Sequence, residues 1–356
     1  MKYLFVTPFP PTRCGIGTYA SQTVQQLREN GNLVDVLSPD GLGNVDFAWN
    51  LQGGFKILKL MALLPFYDFV VIQYSPIFFY ARLFDEAHRW DSLWTTLSFI
   101  TLWILGRRKI EVVGHEIPYL SRSSKLSINF ELFRWKWKLV PRLILHTTRE
   151  REKFLQYYAL RAKRNQIEIR PHHAGFRKFR DISREAAREE LGLPPDDNIF
   201  LCIGFIQRHK GFDRAISAFK KVPLKAAHLY VVGSLRVTYK DTIEYLAELR
   251  SLARASPNIH LYERFLTDDE FDTWIAASDW VVVPYREIWS SSVAARARLL
   301  QRPAILSMVG GLPEQGAEGD LFFNNDNELE GVFRQAAEAK KDRSLSLAGM
   351  SKAGNA

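Results

Sequence analysis

Residues 199–232 read IFLCIGFIQRHKGFDRAISAFKKVPLKAAHLYVV. Ile199–Ile203 is apolar without polar alternation, Gly204–Gly211 breaks the run, Gly211–Lys221 has helical periodicity, and Leu229–Val232 is apolar again. A strand with no polar face has both faces covered, so strand, helix and strand in this order give a parallel pair joined by a crossover helix. The pattern continues toward the C-terminus. Ile259–Tyr262, Trp280–Val283 and Ala304–Ser307 read as strands, and Asp241–Ala255, Asp268–Ala277 and Ser292–Gln301 as the helices between them. The first half repeats it, with strands at Leu4–Thr7, Leu33–Ser38, Phe69–Tyr74, Glu111–Gly114 and Gln166–Arg170, and helices at Thr18–Asn30 and Glu150–Tyr158. Each half is therefore expected to be a doubly wound α/β domain: residues 1–175, a charged linker at 176–197 containing Leu193-Pro194-Pro195, and residues 198–356.

A chain of 356 residues suits two such domains. The composition, 47% hydrophobic and 24% charged, excludes a disordered chain and a membrane bundle. Cys14 and Cys202 are far apart and in no ligand spacing, which points away from a disulfide framework and toward a reducing compartment. The apolar start Met1–Val6 meets Pro8 at once and reads as a first strand rather than a signal peptide. Leu93–Leu105 is almost wholly apolar but too short to span a bilayer; a buried crossover helix is expected there, with a helix that dips into a membrane surface as the alternative. The net charge of +9 is concentrated between Phe133 and Arg180, where roughly fourteen Lys and Arg face three Glu. Within that stretch Arg134-Trp135-Lys136-Trp137-Lys138 alternates cations with indoles, a pattern suited to a lipid interface, to phosphorylated substrates or to a solvated helix face. No nucleic-acid motif accompanies it.

Gly15-Ile16-Gly17-Thr18-Tyr19-Ala20 fits G-x-G-x-x-G/A ahead of a helix, where backbone N–H groups can approach a phosphate. A dinucleotide-binding oxidoreductase is one reading. Against it, Pro8–Cys14 separates the first glycine from its strand, and Asp35, the acidic residue on offer for the ribose, lies inside the second strand.

A longer set of segments resembles family 4 of the GT-B glycosyltransferases, and the resemblance runs through nearly the whole chain. Phe5-Val6-Thr7-Pro8, the glycine stretch and Gly31–Val36 look like that family's opening; Val113-Gly114-His115-Glu116 is similar to its strand-end histidine motif. Arg170–Gly175 sits at the turn before the linker. Cys202–Gly211 resembles the strand and loop ending in Lys-Gly, Val231–Ser234 the next glycine turn. Asp279–Pro284, Tyr285-Arg286-Glu287, Ser290–Ser292, Pro303–Ile305 and Gly310–Glu314 follow in the family's order. The chain departs from it in four places: Phe205 stands where the family has Arg, with Arg208 available nearby; Arg296 stands where a second Glu is usual; Glu287 lies one place before the usual first Glu; and Ser290–Ser292 replaces the glycine-bearing turn.

The resemblance implies two Rossmann-like domains facing each other across a cleft, and a retaining transfer of sugar from a nucleotide-diphosphate donor, UDP- or GDP-linked, with no other cofactor. It also implies the site. Lys210, Arg208 and Glu287 are the candidate catalytic residues of the second domain, with Gly204, Ser291, Ser292 and Glu314 around the donor. A lysine and an arginine on a glycine-bounded loop can grip a diphosphate leaving group. Gly15 and Gly17 would add N–H groups from the first domain, and His115, at the end of an apolar strand, would hydrogen-bond the transferred sugar. The alternatives are a surface role for Lys210 and Arg208, a Glu287–Arg286 ion pair, helix capping by Ser291, Ser292 and Glu314, and a structural, hydrogen-bonded histidine at His115. His172 and His173 are adjacent and, in extended backbone, point apart; no residue spacing supports a metal site. The expected acceptor is a glycan or a lipid-linked glycan in polysaccharide or lipopolysaccharide assembly, reached by a cytoplasmic enzyme held peripherally on the inner face of the membrane through residues 134–138. Two other classes stay open: a GT-B-fold binding subunit that has lost transfer, and the NAD(P) oxidoreductase. The short stretch after Leu329–Lys341 is expected to be too brief for a full return helix to the first domain.

Overall fold

The computed structural model describes residues 1–81, 86–117, 127–158, 166–222, 225–254 and 256–353. They form two units, Met1–Gly175 and Phe176–Ala356. In the first, strands β1 (Lys2–Val6), β2 (Leu33–Ser38), β3 (Phe47–Ala48), β4 (Phe69–Tyr74), β5 (Ile110–Gly114), β6 (Leu143–Leu145) and β7 (Ile167–Ile169) make one sheet in the order β3-β2-β1-β4-β5-β6-β7. Every ladder in it is parallel; Lys2 to Val6 pair with Leu33 to Leu37 on one side, and Tyr3 to Val6 with Phe69 to Ile72 on the other. Leu4, Val6, Val70, Ile72 and Val112 are fully buried, as apolar strands with both faces covered require. The helices are α1 (Gly15–Glu29), α2 (Arg89–Leu105), α3 (Ser127–Leu139) and α4 (Thr148–Tyr158).

Three features of this unit differ from the sequence reading. Gly15-Ile16-Gly17 is not a free loop but the first turn of α1, capped by Cys14 in extended conformation. Gly17 is confined by packing: a Cβ there would lie 2.9 Å from the Pro8 carbonyl oxygen. Helix α2 does form the crossover between β4 and β5, but only one side of it is buried: Trp94, Ile104 and Leu105 are exposed. The third difference concerns residues 134–138. Trp135 is exposed and Arg134 and Lys138 are half-buried, yet Lys136 and Trp137 lie wholly inside the unit. A helix turns about 100° per residue, so an alternating run cannot present one face. Lys136 Nζ donates to the Tyr74 and Tyr80 hydroxyls at 2.8 and 3.2 Å and lies 3.9 Å from the Phe133 ring centroid. Burial, with no charged partner among the described residues, pushes its basicity well below that of an ordinary lysine. Since the cage is apolar but for two hydroxyls, Lys136→Met is expected to hold stability within about 1 kcal/mol of wild type in urea unfolding.

The second unit carries α5 (Arg184–Leu191), β8 (Asn198–Ile203), α6 (Phe212–Lys220), β9 (Ala227–Gly233), α7 (Lys240–Arg254), β10 (Ile259–Glu263), α8 (Asp268–Ala277), β11 (Trp280–Val283), α9 (Ser292–Leu299), β12 (Ala304–Ser307), α10 (Leu312–Gln315), β13 (Leu321–Phe323) and α11 (Asp326–Ala353). Its sheet, order β10-β9-β8-β11-β12-β13, is parallel throughout. The stretch expected as a linker, 176–197, belongs to this unit. Ser183 caps α5 by accepting from the Ala186 N–H, and Gly192 closes it in the left-handed conformation. Arg188 is buried and donates to Asp279 at 2.7 Å and to the Ala277, Pro194, Pro195 and Asp197 carbonyls, which fastens α5 to the start of β11. Charged residues in this stretch thus reflect a buried anchor rather than a solvated tether. Arg296, in α9, is likewise internal: it pairs with Asp272 at 2.5 Å and Asp268 at 2.6 Å, both on α8.

Candidate functional site

In a doubly wound sheet, the crevice lies beyond the carboxyl ends of two neighbouring strands whose following helices go to opposite faces. In the second unit these are β8 and β11, from which the chain leaves toward β9 and β12 respectively. The loop after β8 is Gly204–Gly211 and the loop after β11 is Pro284–Ser291; the Arg286 N–H joins them by donating to the His209 carbonyl at 2.7 Å. Gly204 has φ +118°, open only to glycine without strain, and a Cβ on it would meet Lys210 Nζ at 3.0 Å. The lysine therefore lies over bare backbone at the crevice, with its ammonium 5.6 Å from the Tyr285 ring centroid and no carboxylate partner among the described residues. Desolvation, and then the nearby Arg236 charge, lower its pKa to about 8. An ammonium placed there without a carboxylate partner among the described residues makes a place for an anion. Arg236, which the sequence reading passed over, follows the glycine turn after β9.

Arg208 does not join this pair. Its guanidinium bonds Glu248 at 3.0 Å and Asp241 at 3.4 Å and lies over the Tyr245 ring, all on α7. Nor does Arg286 pair with Glu287: it binds Asp213 through both guanidinium nitrogens, at 2.9 and 2.6 Å. Glu287 is left exposed, with no ion-pair partner among the described residues.

The first unit gathers a different set. His115 follows β5, His146 follows β6 and His172 follows β7; one ring nitrogen from each lies within 4.8 Å of the others. Tyr19 from α1 packs among all three, with centroids 5.2, 5.5 and 5.0 Å away. Gly175 makes room for it, since a Cβ there would lie 2.1 Å from the tyrosine ring. His115 Nε2 meets Gln73 Oε1 at 2.5 Å; an amide oxygen only accepts, so this nitrogen carries the proton. By the same logic His146 Nδ1 donates to the Arg170 carbonyl at 3.0 Å. Burial holds all three imidazoles neutral, with His146 lowered to about 4. Neutral histidines are metal ligands in principle, and this is the one such group among the described residues. The His146 and His172 rings, however, stack at 4.3 Å with 18° between planes, so their in-plane lone pairs run side by side rather than converging tetrahedrally. The arrangement is a packed imidazole cluster. His173, beside His172, is outside it. His146 follows a strand of only three residues, too short to be read from the sequence, so no sequence signal marked it.

Residues 183–346 match the family Glycosyl transferases group 1. The second unit is a group 1 glycosyltransferase domain. Among curated proteins, the chain is similar to D-inositol 3-phosphate glycosyltransferase of Rhodococcus opacus, 29% identical over 175 residues, which is 48% of this chain and 39% of that one. It is also similar to the enzyme of that name from Xylanimonas cellulosilytica, 34% identical over 135 residues, 36% of this chain and 30% of the relative. The chain thus spans well under half of the length of these relatives. Among solved structures, HepE from Anabaena in complex with UDP-glucose superposes with TM-score 0.64 at 14% identity, over 96% of this chain and 91% of that one. These likenesses establish the fold as GT-B.

The group 1 domain holds the donor-side residues nominated from its own stretch of sequence, in unequal roles. Lys210 and Gly204 lie together at the crevice. Ser291 is buried and caps α9 by accepting from the Ala294 N–H at 3.2 Å, while its own N–H and carbonyl are bonded by Gln315. It serves the helix. Ser292 begins α9, and Glu314 is exposed on α10. Gly310, at φ +54°, passes so close to the Ile288 carbonyl oxygen that a Cβ would lie 1.8 Å from it, which brings the glycine pair against the loop carrying Glu287. The match favours the glycosyltransferase reading over the NAD(P) oxidoreductase alternative.

Proposed function

We propose that the protein transfers a sugar from a nucleoside diphosphate donor held by the group 1 domain, with retention of anomeric configuration and without a metal. The observation that carries this is Lys210: a desolvated ammonium with no carboxylate partner among the described residues, over the bare backbone of Gly204 at the switch point of the sheet. An ammonium so placed stabilises charge as it builds on a departing diphosphate. Lys210 and Arg236 are assigned that task, and Arg208, engaged by Glu248 and Asp241, is relieved of it. Glu287 and Glu314 are assigned to the donor's hydroxyls. In the same-face mechanism the bond from the anomeric carbon to the diphosphate oxygen breaks as the acceptor oxygen bonds to that carbon. The acceptor's proton passes to the leaving diphosphate. No protein carboxylate is required as nucleophile. His115 is assigned to the sugar, its orientation fixed by Gln73.

UDP or GDP is the expected donor base, and a glycan or lipid-linked glycan of polysaccharide or lipopolysaccharide assembly the expected acceptor. HepE was crystallised with UDP-glucose, which favours UDP. A thermal-shift panel of UDP, GDP, dTDP and ADP with their sugars tests the assignment, because a ligand that binds only the folded state raises its stability. One nucleotide is expected to raise Tm clearly above the rest; a panel with no shift at saturating ligand overturns the donor site. A second reading, a binding subunit without transfer, has one observation in its favour: Arg296, where the family usually has a glutamate, is locked to Asp268 and Asp272. Nucleotide-sugar turnover with and without acceptor separates the two.

A further inference from the structure

Helix α2 is built the wrong way round for a helix that faces water. Its buried residues include four hydroxyl side chains, Ser92, Thr95, Thr96 and Ser98, beside Phe99, Leu102 and Trp103. The outward stripe, at helical spacing, is Trp90, Trp94, Leu97, Thr101 and Ile104. Trp90 is 59% exposed, Ile104 54% and the adjoining Leu105 60%. The one hydroxyl on that stripe, Thr101, is turned back to the Leu97 carbonyl at 3.1 Å. From Ser92 to Gly106 the chain has no charged residue. An ordinary surface helix puts charge where α2 puts tryptophan and isoleucine.

The apolar surface continues onto the neighbouring turns. The 3₁₀ turn Lys56–Ala62 packs against α2, and Phe55 before it meets Trp94 at 5.1 Å between ring centroids. Phe55 and Phe66 are 57% and 68% exposed. Cations frame the patch. Arg107 and Arg108 follow α2 directly, Lys56 and Lys59 lie on the adjacent turn, and all four are exposed. Tryptophan beside arginine and lysine, around aliphatic side chains, is the composition of a surface that enters the headgroup layer of a bilayer. At about 1.5 Å per residue the helix is too short to cross the hydrocarbon, and among the described residues no helix is long and apolar enough to do so.

We infer that α2 and the turns beside it form a membrane-docking face that lies in the plane of an anionic bilayer, with Trp90, Trp94, Ile104 and Leu105 inserted and Arg107 and Arg108 on lipid phosphates. This moves the contact away from residues 134–138, where Lys136 and Trp137 are buried. It does not depend on the transferase assignment, since lipid binding is measured without any sugar donor.

The test is co-sedimentation of the full chain with vesicles of phosphatidylcholine alone and of phosphatidylcholine mixed with phosphatidylglycerol, at low and high salt. Binding is expected to the anionic vesicles and to weaken with salt. Trp94→Ser/Ile104→Ser is expected to lower the partition coefficient by roughly tenfold or more. Arg107→Gln/Arg108→Gln is expected to remove most of the preference for anionic lipid. These side chains are exposed, so an unchanged urea midpoint shows that each variant is folded. Failure of the wild type to bind anionic vesicles overturns the inference, as does binding undiminished in the Trp94/Ile104 variant. A dimer in lipid-free solution that Ile104→Asp dissociates, with no vesicle binding, also overturns it and assigns the face to a second copy.

Discussion

Lys210→Ala is expected to lower kcat/KM for sugar transfer by roughly a hundredfold or more, the size of effect seen when one preorganised group on a developing negative charge is removed. The loss should fall on kcat as well as KM, because the diphosphate carries more charge as it departs than in the bound donor. Stability should not fall with it. The ammonium is desolvated and has no carboxylate partner among the described residues, so its removal relieves a cost. Lys210→Arg should recover part of the activity, although a planar fork is a poor substitute for a point charge over Gly204. The pH dependence provides a second check. With its pKa lowered to about 8, Lys210 is an ammonium below that value and a neutral amine above it. kcat/KM, which reports the free enzyme, should therefore decline as pH rises through about 8. Transfer at near wild-type rate by a folded Lys210→Ala protein would remove the lysine from the mechanism.

Much of this site could be read from the sequence because it rests on backbone requirements. Gly204 and Gly310 need conformations or close approaches that other residues resist, and their spacing from the apolar strands fixes the sheet edge they occupy. The strands β2, β4, β11 and β12 were found at their observed limits for the same reason: apolar runs bounded by turn residues have few other structures available. What was not legible was side-chain direction. Arg208 and Lys210 are two residues apart on one short turn, yet one goes to the acids of α7 and the other to the crevice. Nothing local distinguishes them; Asp241 and Glu248, far along the chain, decide it. Lys136 was misplaced because an alternating basic–aromatic run looks interfacial until it is wound on a helix. Helix α2 was placed as the crossover, but an apolar run does not say how much of the helix the fold covers. The strands β3, β6 and β13, two or three residues long, carry too little pattern to be seen.

The imidazole cluster leads to the second large effect, a loss of stability in mild acid. In an unfolded chain His115, His146 and His172 would titrate near the ordinary value of about 6.5. In the folded first unit burial keeps all three neutral to lower pH, with His146 lowered to about 4. Between those values the unfolded chain binds more protons than the folded one, so stability falls as pH falls; above about 6.5 the three contribute no slope. His146 alone, moving from 6.5 to about 4, accounts for on the order of 3 kcal/mol of that loss. The other two add to it in the same direction, and neighbouring positive imidazoles would repel one another if more than one were protonated. Hydrogen exchange of the first-unit strands, read beside urea unfolding from pH 7.5 to 4.5, separates this unit from the second, whose transition need not coincide. The expected result is a midpoint constant above pH 6.5 that drops steeply below it, with His146→Gln reducing the slope because an amide in that place has no proton to gain. Glu168, lowered by its Arg142 and Arg170 partners against the desolvation that opposes them, begins to contribute only as pH falls into the ordinary carboxylate range, so a drop above that range belongs to the histidines. A wild-type midpoint that stays level from pH 7 to 5 would mean that the cluster takes up protons while folded, which requires the rings to part and admit water.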